Sequence, residues 1–405
     1  MCNFVSEIKF LLKKIGFLLN QLLFWRYRKL DLLLYDDIYP HPVSGFRYEE
    51  LTVLLTEFKS SKIILNPISY GLVNTLKENH KNHVADIVKK NRLLKGKLIC
   101  KGRKYYRSKL FYCVFLHNIL SNLSWLEELK IPFVFTLYPG GGFQVGDKKV
   151  DESLRKVFES PMFRKVIVTQ PLTRDYLIKK KLCSLERIMF VFGCVVPQQS
   201  LLERALVRKN YLINKDTFDI CFCAAKYTPL GKDKGYDVFV KFAHQISTKY
   251  DFLRFHVIGG FDKEDIAIDG IEEKISFYGY KNFDGLKSIF RSMDVIVSPN
   301  KPFVLRPGAF DGFPLGTVVE AVSNGVVALV TDELKQNAVF KNNEELIIVK
   351  GESIAIEREI IKLINYPEKL YLISKKGREK FLKVYSNERQ IKPRIELLKR
   401  EIYNC

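Results

Sequence analysis

The chain has 405 residues, 47% of them hydrophobic, more than one hydrophobic core usually organises and enough to fill two. Its 66 Lys and Arg against 45 Asp and Glu leave a formal net charge of +21, which implies an anionic partner: nucleic acid, anionic lipid or a sugar nucleotide. No Walker loop, zinc-finger spacing or RNA-binding aromatic signature occurs and the basic residues are spread out, so nucleic acid is disfavoured. The eight cysteines form no Cys-x-x-Cys pair and read as reduced, largely buried cytoplasmic thiols.

Residues 1–29 carry apolar side chains at helical spacing, from Phe4, Ile8, Leu11, Leu12 and Ile15 to Leu18, Leu19, Leu22 and Leu23. Lys9, Lys13 and Lys14 interrupt the pattern and Arg26, Arg28 and Lys29 close it. The longest uncharged run, Ile15 to Trp25, is shorter than the about 20 apolar residues a spanning helix needs. No small-residue cleavage site follows. This is a basic amphipathic helix, packed either on the protein's own core or in a lipid interface, and Trp25 and Tyr27 beside the basic end favour lipid.

From Leu30 short apolar strands alternate with helices, the pattern of parallel α/β layers. Strands are predicted at Leu30 to Tyr35, Lys62 to Leu65, Lys97 to Cys100, Phe133 to Leu137, Lys165 to Thr169 and Arg187 to Phe192, with helices such as Tyr48 to Phe58 and Thr173 to Lys180. These make a Rossmann-like domain over 30–197. Residues 198–215 carry no strand pattern and read as a linker. A second domain, 216–385, holds strands at Phe218 to Ala224, Arg254 to Ile258, Ile275 to Tyr278, Val295 to Ser298, Val326 to Val330 and Leu346 to Val349, and the segment 386–405 ends the chain as a charged helix. Neither half shows Gly-x-Gly-x-x-Gly after its first strand, which disfavours a dinucleotide redox cofactor.

In open parallel sheets ligands collect beyond the carboxyl ends of the strands. After the strands of the second half come Lys226, Lys232 and Lys234-Gly235, then Gly259-Gly260, then Gly279-Tyr280, and finally Pro299 and an acidic turn. That turn reads Phe310-Asp311-Gly312-Phe313-Pro314-Leu315-Gly316 and runs into Thr317-Val318-Val319-Glu320-Ala321. Acids on either side of a helix N-terminus suit a ligand with both hydroxyls and phosphates, because carboxylates accept from hydroxyls while free N–H groups face anions. A nucleotide sugar fits that description.

This ordered set resembles the retaining glycosyltransferases of family 4, whose architecture is GT-B: two Rossmann-like domains facing across a cleft. The family's acid, Gly, aromatic, Pro and second acid opening Glu-Ala correspond to Asp311-Gly312-Phe313-Pro314 and Glu320-Ala321. The first acid is Asp and eight residues, Gly312 to Val319, intervene, one more than the family's usual spacing. The resemblance implies that Lys226 and Lys234 bind the donor diphosphate, with Lys232 as a competitor, and that Glu320 accepts from the ribose while Asp311 orients hydroxyls of the transferred sugar. It implies that Gly45, in the loop Pro42 to Arg47, lies near the diphosphate, and that the last helix crosses back to the first domain. Charge building on the leaving phosphate oxygen would be met by Lys226, Lys234 and N–H groups near Leu315 and Gly316, with no metal.

The first half is expected to face the acceptor through Tyr138-Pro139-Gly140-Gly141-Gly142-Phe143, since three adjacent glycines let a backbone approach a ligand closely. Tyr138 stands where the family often has a histidine. His80 and His83 share a helix face without a metal-ligating partner and read as surface residues, His41 lies beside the glycine loop, and His117 and His256 read as buried or structural. No general base is expected from this half. The expected function is transfer of a hexose-type sugar from a nucleoside diphosphate to a glycan or lipid-linked acceptor in cell-surface polysaccharide (lipopolysaccharide or capsule) synthesis, in the cytoplasm or peripherally on the inner membrane face. Alternatives are a GT-B epimerase or phosphorylase, or a non-catalytic basic protein that binds nucleic acid or membrane.

Overall fold

The computed structural model describes residues 29–41, 44–69, 80–99, 106–197 and 208–404. Residues 1–28 of the expected amphipathic helix, Pro42 and Val43 of the first glycine loop, Cys100 and residues 198–207 of the expected linker lie outside the described residues.

Two parallel sheets organise the described chain. The first contains β1 (Leu30–Asp36), β2 (Ser61–Leu65), β3 (Leu98–Ile99), β4 (Ser108–Val114), β5 (Phe133–Leu137), β6 (Phe163–Val168) and β7 (Ile188–Phe190), in the order β3-β2-β1-β4-β5-β6-β7. The second contains β8 (Phe218–Ala224), β9 (Leu253–Gly259), β10 (Ile275–Phe277), β11 (Val295–Ser298), β12 (Val327–Val330) and β13 (Ile347–Ile348), in the order β10-β9-β8-β11-β12-β13. Helices cover both faces of each sheet, so central strands are buried and mostly apolar; every residue of β8 is buried. The chain order reverses between β1 and β4 in one sheet and between β8 and β11 in the other, which opens a crevice at each strand-end switch point.

The strand β4 was not anticipated. Its start is masked by the basic stretch Lys101 to Lys109, yet it pairs with β1 on one side and β5 on the other and is central to the sheet. Its consequence is functional, because its carboxyl end carries His117 into the cleft.

The helix Pro367–Val384 packs on the second domain and the final helix, Asn387–Tyr403, lies against the first. Arg394 on this last helix is fully buried. Its guanidinium donates to the Gln390 carbonyl and, at 3.2 Å, to the Tyr138 hydroxyl, and Nε stands 3.5 Å from Glu50 Oε1. Glu50 in turn accepts from Tyr112 and, at 2.7 Å, from Tyr138. A buried charge survives only when paired and hydrogen-bonded, so this network welds the end of the chain to the first domain. It also corrects the expectation for Tyr138, whose hydroxyl is turned into the core by Glu50 and Arg394 and does not face an acceptor.

The domains meet at the acidic turn. Val145 N–H donates to Gly308 O at 2.9 Å, Gln170 Nε2 to Phe313 O at 3.4 Å, and the rings of Phe143 and Phe310 pack edge to face at 5.8 Å.

Candidate active site

On the C-terminal domain the position of Lys234 is set by the residue after it. Gly235 has φ +71°, and a Cβ there would lie 2.0 Å from the Pro299 carbonyl oxygen, so only glycine lets this turn pass beneath the end of β11. Lys234 is thereby buried, with Nζ 2.5 Å from Asp311 Oδ2, 3.5 Å from Asp233 Oδ2 and 5.1 Å from the centre of the Tyr227 ring. Burial pulls its pKa down, but the charge and hydrogen bond of Asp311 outweigh this and the net shift is upward. Asp311 also accepts from Asn300 Nδ2 at 3.1 Å, and Gln336 Nε2 holds its backbone carbonyl at 3.1 Å. A pocket opens beside it, lined by Asn300, Phe310, Thr331 and Gln336 among others.

Glu320 is set up differently. It sits on the helix Gly316–Ser323, which Thr317 fastens to the end of β8 by a 2.8 Å bond from Oγ1 to Cys223 O. Among the described residues no side chain or backbone group pairs with its carboxyl, and burial alone pushes it up to about 8. The N–H groups of Gly316 and Thr317 are also without acceptors among the described residues. Across the cleft stands the N-terminus of the helix Gly45–Glu57: a Cβ placed on Gly45 would lie 3.8 Å from Glu320 Oε1 and 2.6 Å from the Phe283 ring. Two helix N-termini and one unpaired carboxyl therefore converge.

Other expected residues are dispersed around this centre. Lys226 forms an ion pair with Asp265, on the loop after β9, and is not brought to Asp311 or Lys234; the nearly buried carboxylate of Asp265 is the stronger local attraction. Lys232 is exposed on the turn before Lys234. Gly259 has φ +128°, and a Cβ there would lie 1.9 Å from Ala224 O, so glycine is required where the ends of β8 and β9 meet. Its N–H bonds Gly279 O at 3.0 Å, while Gly279 itself is exposed at φ +64° with open space beside it. The Tyr280 ring covers Gly260. Gly312 lies under Gln170, Phe313 and Pro314 are buried, and Leu315 precedes the helix that Gly316 opens.

The N-terminal face carries a charged cluster that reading the sequence missed. Asp36 ends β1 and Asp37 follows it, Arg47 lies in the first turn of the adjoining helix, and His117 and Asn118 follow β4. Asp37 takes Arg47 Nη1 at 2.7 Å, His117 Nε2 at 3.1 Å, Asn118 Nδ2 at 3.2 Å and the Ser69 hydroxyl. Burial raises the Asp37 pKa, but His117 and Arg47 more than reverse this and hold the carboxyl well below the usual range. The other ring nitrogen of His117, Nδ1, is 2.8 Å from Gly141 O. Both nitrogens thus face oxygens that only accept, which requires the doubly protonated imidazolium. Burial lowers the His117 pKa, yet the bond and charge of Asp37 win and it is raised. His117, expected to be buried or structural, is half-buried and pins the three-glycine loop. Gly140, Gly141 and Gly142 all have positive φ, and a Cβ on Gly141 would enter the Phe115 ring. The signal available in the sequence was the Asp36-Asp37 pair closing the first strand.

His256 is buried, bonded to Asp219 at 2.7 Å and to the Tyr278 hydroxyl at 2.9 Å. The rings of His41 and His83 pack at 4.9 Å and His80 Nε2 lies 3.4 Å from Tyr39 O, so this group is half-buried packing and not open surface. Among the described residues no group of three or more His, Cys, Asp or Glu is arranged to hold a metal ion.

Two facing parallel-sheet domains with the last helix returned to the first define the architecture. The fold is GT-B. Residues 204–380, most of the C-terminal domain, match the family "Glycosyl transferases group 1". The chain is 22% identical over 256 residues to an uncharacterized glycosyltransferase, MJ1607, of Methanocaldococcus jannaschii; the match covers 57% of this chain and 61% of that relative's length. Among solved GT-B structures, a glycosyltransferase from Rickettsia africae superposes with a TM-score of 0.62 at 15% identity, covering 94% of this chain and all of that one. Anabaena HepE in complex with UDP and glucose superposes with a TM-score of 0.58 at 12% identity, covering 93% of this chain and all of that one.

Proposed function

We propose that the protein is a retaining glycosyltransferase of family 4 that moves a hexose-type sugar from a nucleoside diphosphate to a glycan or lipid-linked acceptor, in cytoplasmic synthesis of a cell-surface polysaccharide. The observation that carries this reading is the convergence of the Lys234–Asp311 pair, the unpaired Glu320 carboxyl and two helix N-termini on one interdomain cleft. The group 1 family match over this same domain and the UDP and glucose bound by the HepE neighbour support it.

Each group then has a distinct task. An ammonium has three N–H donors, so Lys234 keeps Asp311 with one and offers the others to the diphosphate. Glu320 accepts from or donates to the ribose hydroxyls, a role for which an otherwise unpaired carboxyl is suited. Asp311, clamped by Lys234 and Asn300 on one oxygen, presents the other to hydroxyls of the transferred sugar. As the glycosidic bond lengthens, negative charge grows on the leaving phosphate oxygen, where Lys234 and the N–H groups of Gly316 and Thr317 stabilise it without a metal. The acceptor hydroxyl attacks from the same face, its oxygen forms the new bond to the anomeric carbon, and its proton passes to the leaving phosphate. The three-glycine loop, held by His117, bounds the acceptor side.

The test is a hydrolysis and transfer assay over a panel of nucleoside-diphosphate sugars. One of them should be turned over by the wild type and, below saturation, about tenfold or more slowly by Glu320→Ala; undiminished activity in that variant would remove Glu320 from the mechanism.

A further inference from the structure

Immediately before the acidic turn the chain forms a finger, Lys301 to Ala309, that exposes three consecutive apolar side chains. Phe303, Val304 and Leu305 are 43%, 42% and 45% exposed. Single exposed apolar residues are ordinary, but three in a row on one ordered loop are not. The finger is fixed at its neck, since Phe303 N–H donates to Ala309 O at 2.7 Å and Ala309 N–H to Arg306 O at 3.0 Å. It is also tied to its surroundings: Lys301 N–H bonds Asp233 O at 3.0 Å, Lys301 Nζ bonds Asp237 at 2.8 Å, and Gly308 O takes the Val145 N–H of the opposite domain. Phe303 adopts φ +66°, a conformation that L side chains rarely take, so the tip's shape is imposed by the neck. The backbone bond to Asp233 sets the finger beside the turn that exposes Leu230 and Lys232. At the finger's far side Arg306 is exposed with no partner among the described residues.

We propose that this finger inserts into the headgroup region of an anionic lipid bilayer and sets the mouth of the cleft against the membrane. The chemistry is that of an interfacial anchor: a short apolar tip to bury, cations beside it for phosphate headgroups, and a chain of net charge +21. The location gives the anchor a use. Asp311 lies two residues beyond Ala309, so a bilayer under the finger brings a lipid-carried acceptor to the cleft, an inference that rests on the proposed transferase function.

The experiment is co-sedimentation of the full chain with vesicles of phosphatidylcholine, with and without an equal share of phosphatidylglycerol, alongside thermal stabilisation by sugar nucleotides. The wild type should partition into anionic vesicles in a salt-dependent way. The combination Phe303→Asn, Val304→Ser and Leu305→Ser, with Asn chosen because it tolerates positive φ, should lower that partition about tenfold or more. Arg306→Glu should weaken it by a smaller factor and reduce its salt dependence, and both variants should keep the wild-type stabilisation by the donor. Equal partition of the triple variant and the wild type, absence of wild-type binding to anionic vesicles, or a vesicle-independent self-association that the triple variant abolishes would each overturn the anchor. A donor that stabilises neither protein would instead refute the transferase reading, whatever the vesicles show.

Discussion

On the C-terminal face of the cleft Glu320 has no partner and its carboxyl is pushed up to about 8, while on the N-terminal face Asp37 is met by Arg47, His117, Asn118 and Ser69 and stays ionised far into acid. The first arrangement leaves hydrogen-bonding capacity and desolvation unspent until a ligand arrives. The second uses its capacity internally to fix a loop. On the proposed function one face binds and the other holds shape, and substitutions on the two should fail in different ways.

The largest effect is expected from Lys234→Ala, which removes the cation that the proposed mechanism sets against the donor diphosphate and leaves Asp233 and Asp311 without it. Steady-state kinetics should show kcat/KM down by about 10²–10³-fold, the scale of losing one preorganised charge-stabilising donor. Lys234→Ala should also unfold at lower temperature than the wild type, because a nearly buried carboxylate loses its counter-charge. Glu320→Ala should follow, with a donor KM raised by about tenfold or more, the worth of a hydrogen bond involving a chargeable group.

Glu320 offers a sharper test through pH. Its folded pKa lies above the ordinary glutamate value of 4.5, so the folded state holds a proton that the unfolded chain has released between 4.5 and about 8. The neutral carboxyl's advantage is therefore complete below the lower value and lost as pH rises through the upper one. The melting temperature of the wild type should decline across this window relative to Glu320→Gln, which has no proton to lose. Parallel profiles would show that burial does not shift Glu320.

On the N-terminal face, His117→Ala should leave the donor KM near the wild-type value and raise the acceptor KM by about threefold to tenfold through loosening of the glycine loop, with hydrogen exchange at Gly140 to Gly142 increased. The pH sign is that of a cation: His117's raised pKa means its contribution is present below the unfolded value of 6.5 and lost as pH climbs through the folded one. Wild type and His117→Ala should therefore converge in stability at alkaline pH. The smallest effect is expected from Lys226→Ala, below about threefold in kcat/KM, because its ammonium is already engaged by Asp265 and is not brought to Asp311 or Lys234.

The same contrast explains what could be read in the chain. Both sheets were visible because parallel strands buried on two faces leave nearly continuous apolar runs, as in Ile220 to Ala224. Asp311 and Glu320 were visible because turn and helix are contiguous in sequence and their spacing is set by one local geometry. The Asp37 cluster was not, because its members come from the ends of β1 and β4 and from two intervening segments, and β4 itself began inside a basic stretch. Nothing local to Lys226 foretold Asp265, and nothing local to Tyr138 foretold a buried Arg394 from the far end of the chain. Side-chain direction at strand ends is decided by long-range partners, which periodicity does not encode.

Thermal unfolding of the wild type and Glu320→Ala against individual nucleoside-diphosphate sugars tests the central claim most directly, since a ligand bound only by the folded chain adds about 2.7 kcal/mol of stability at a hundredfold excess over Kd. One donor should raise the wild-type midpoint and raise that of Glu320→Ala clearly less. A panel in which no donor stabilises the wild type, or in which both proteins respond equally, would contradict the account.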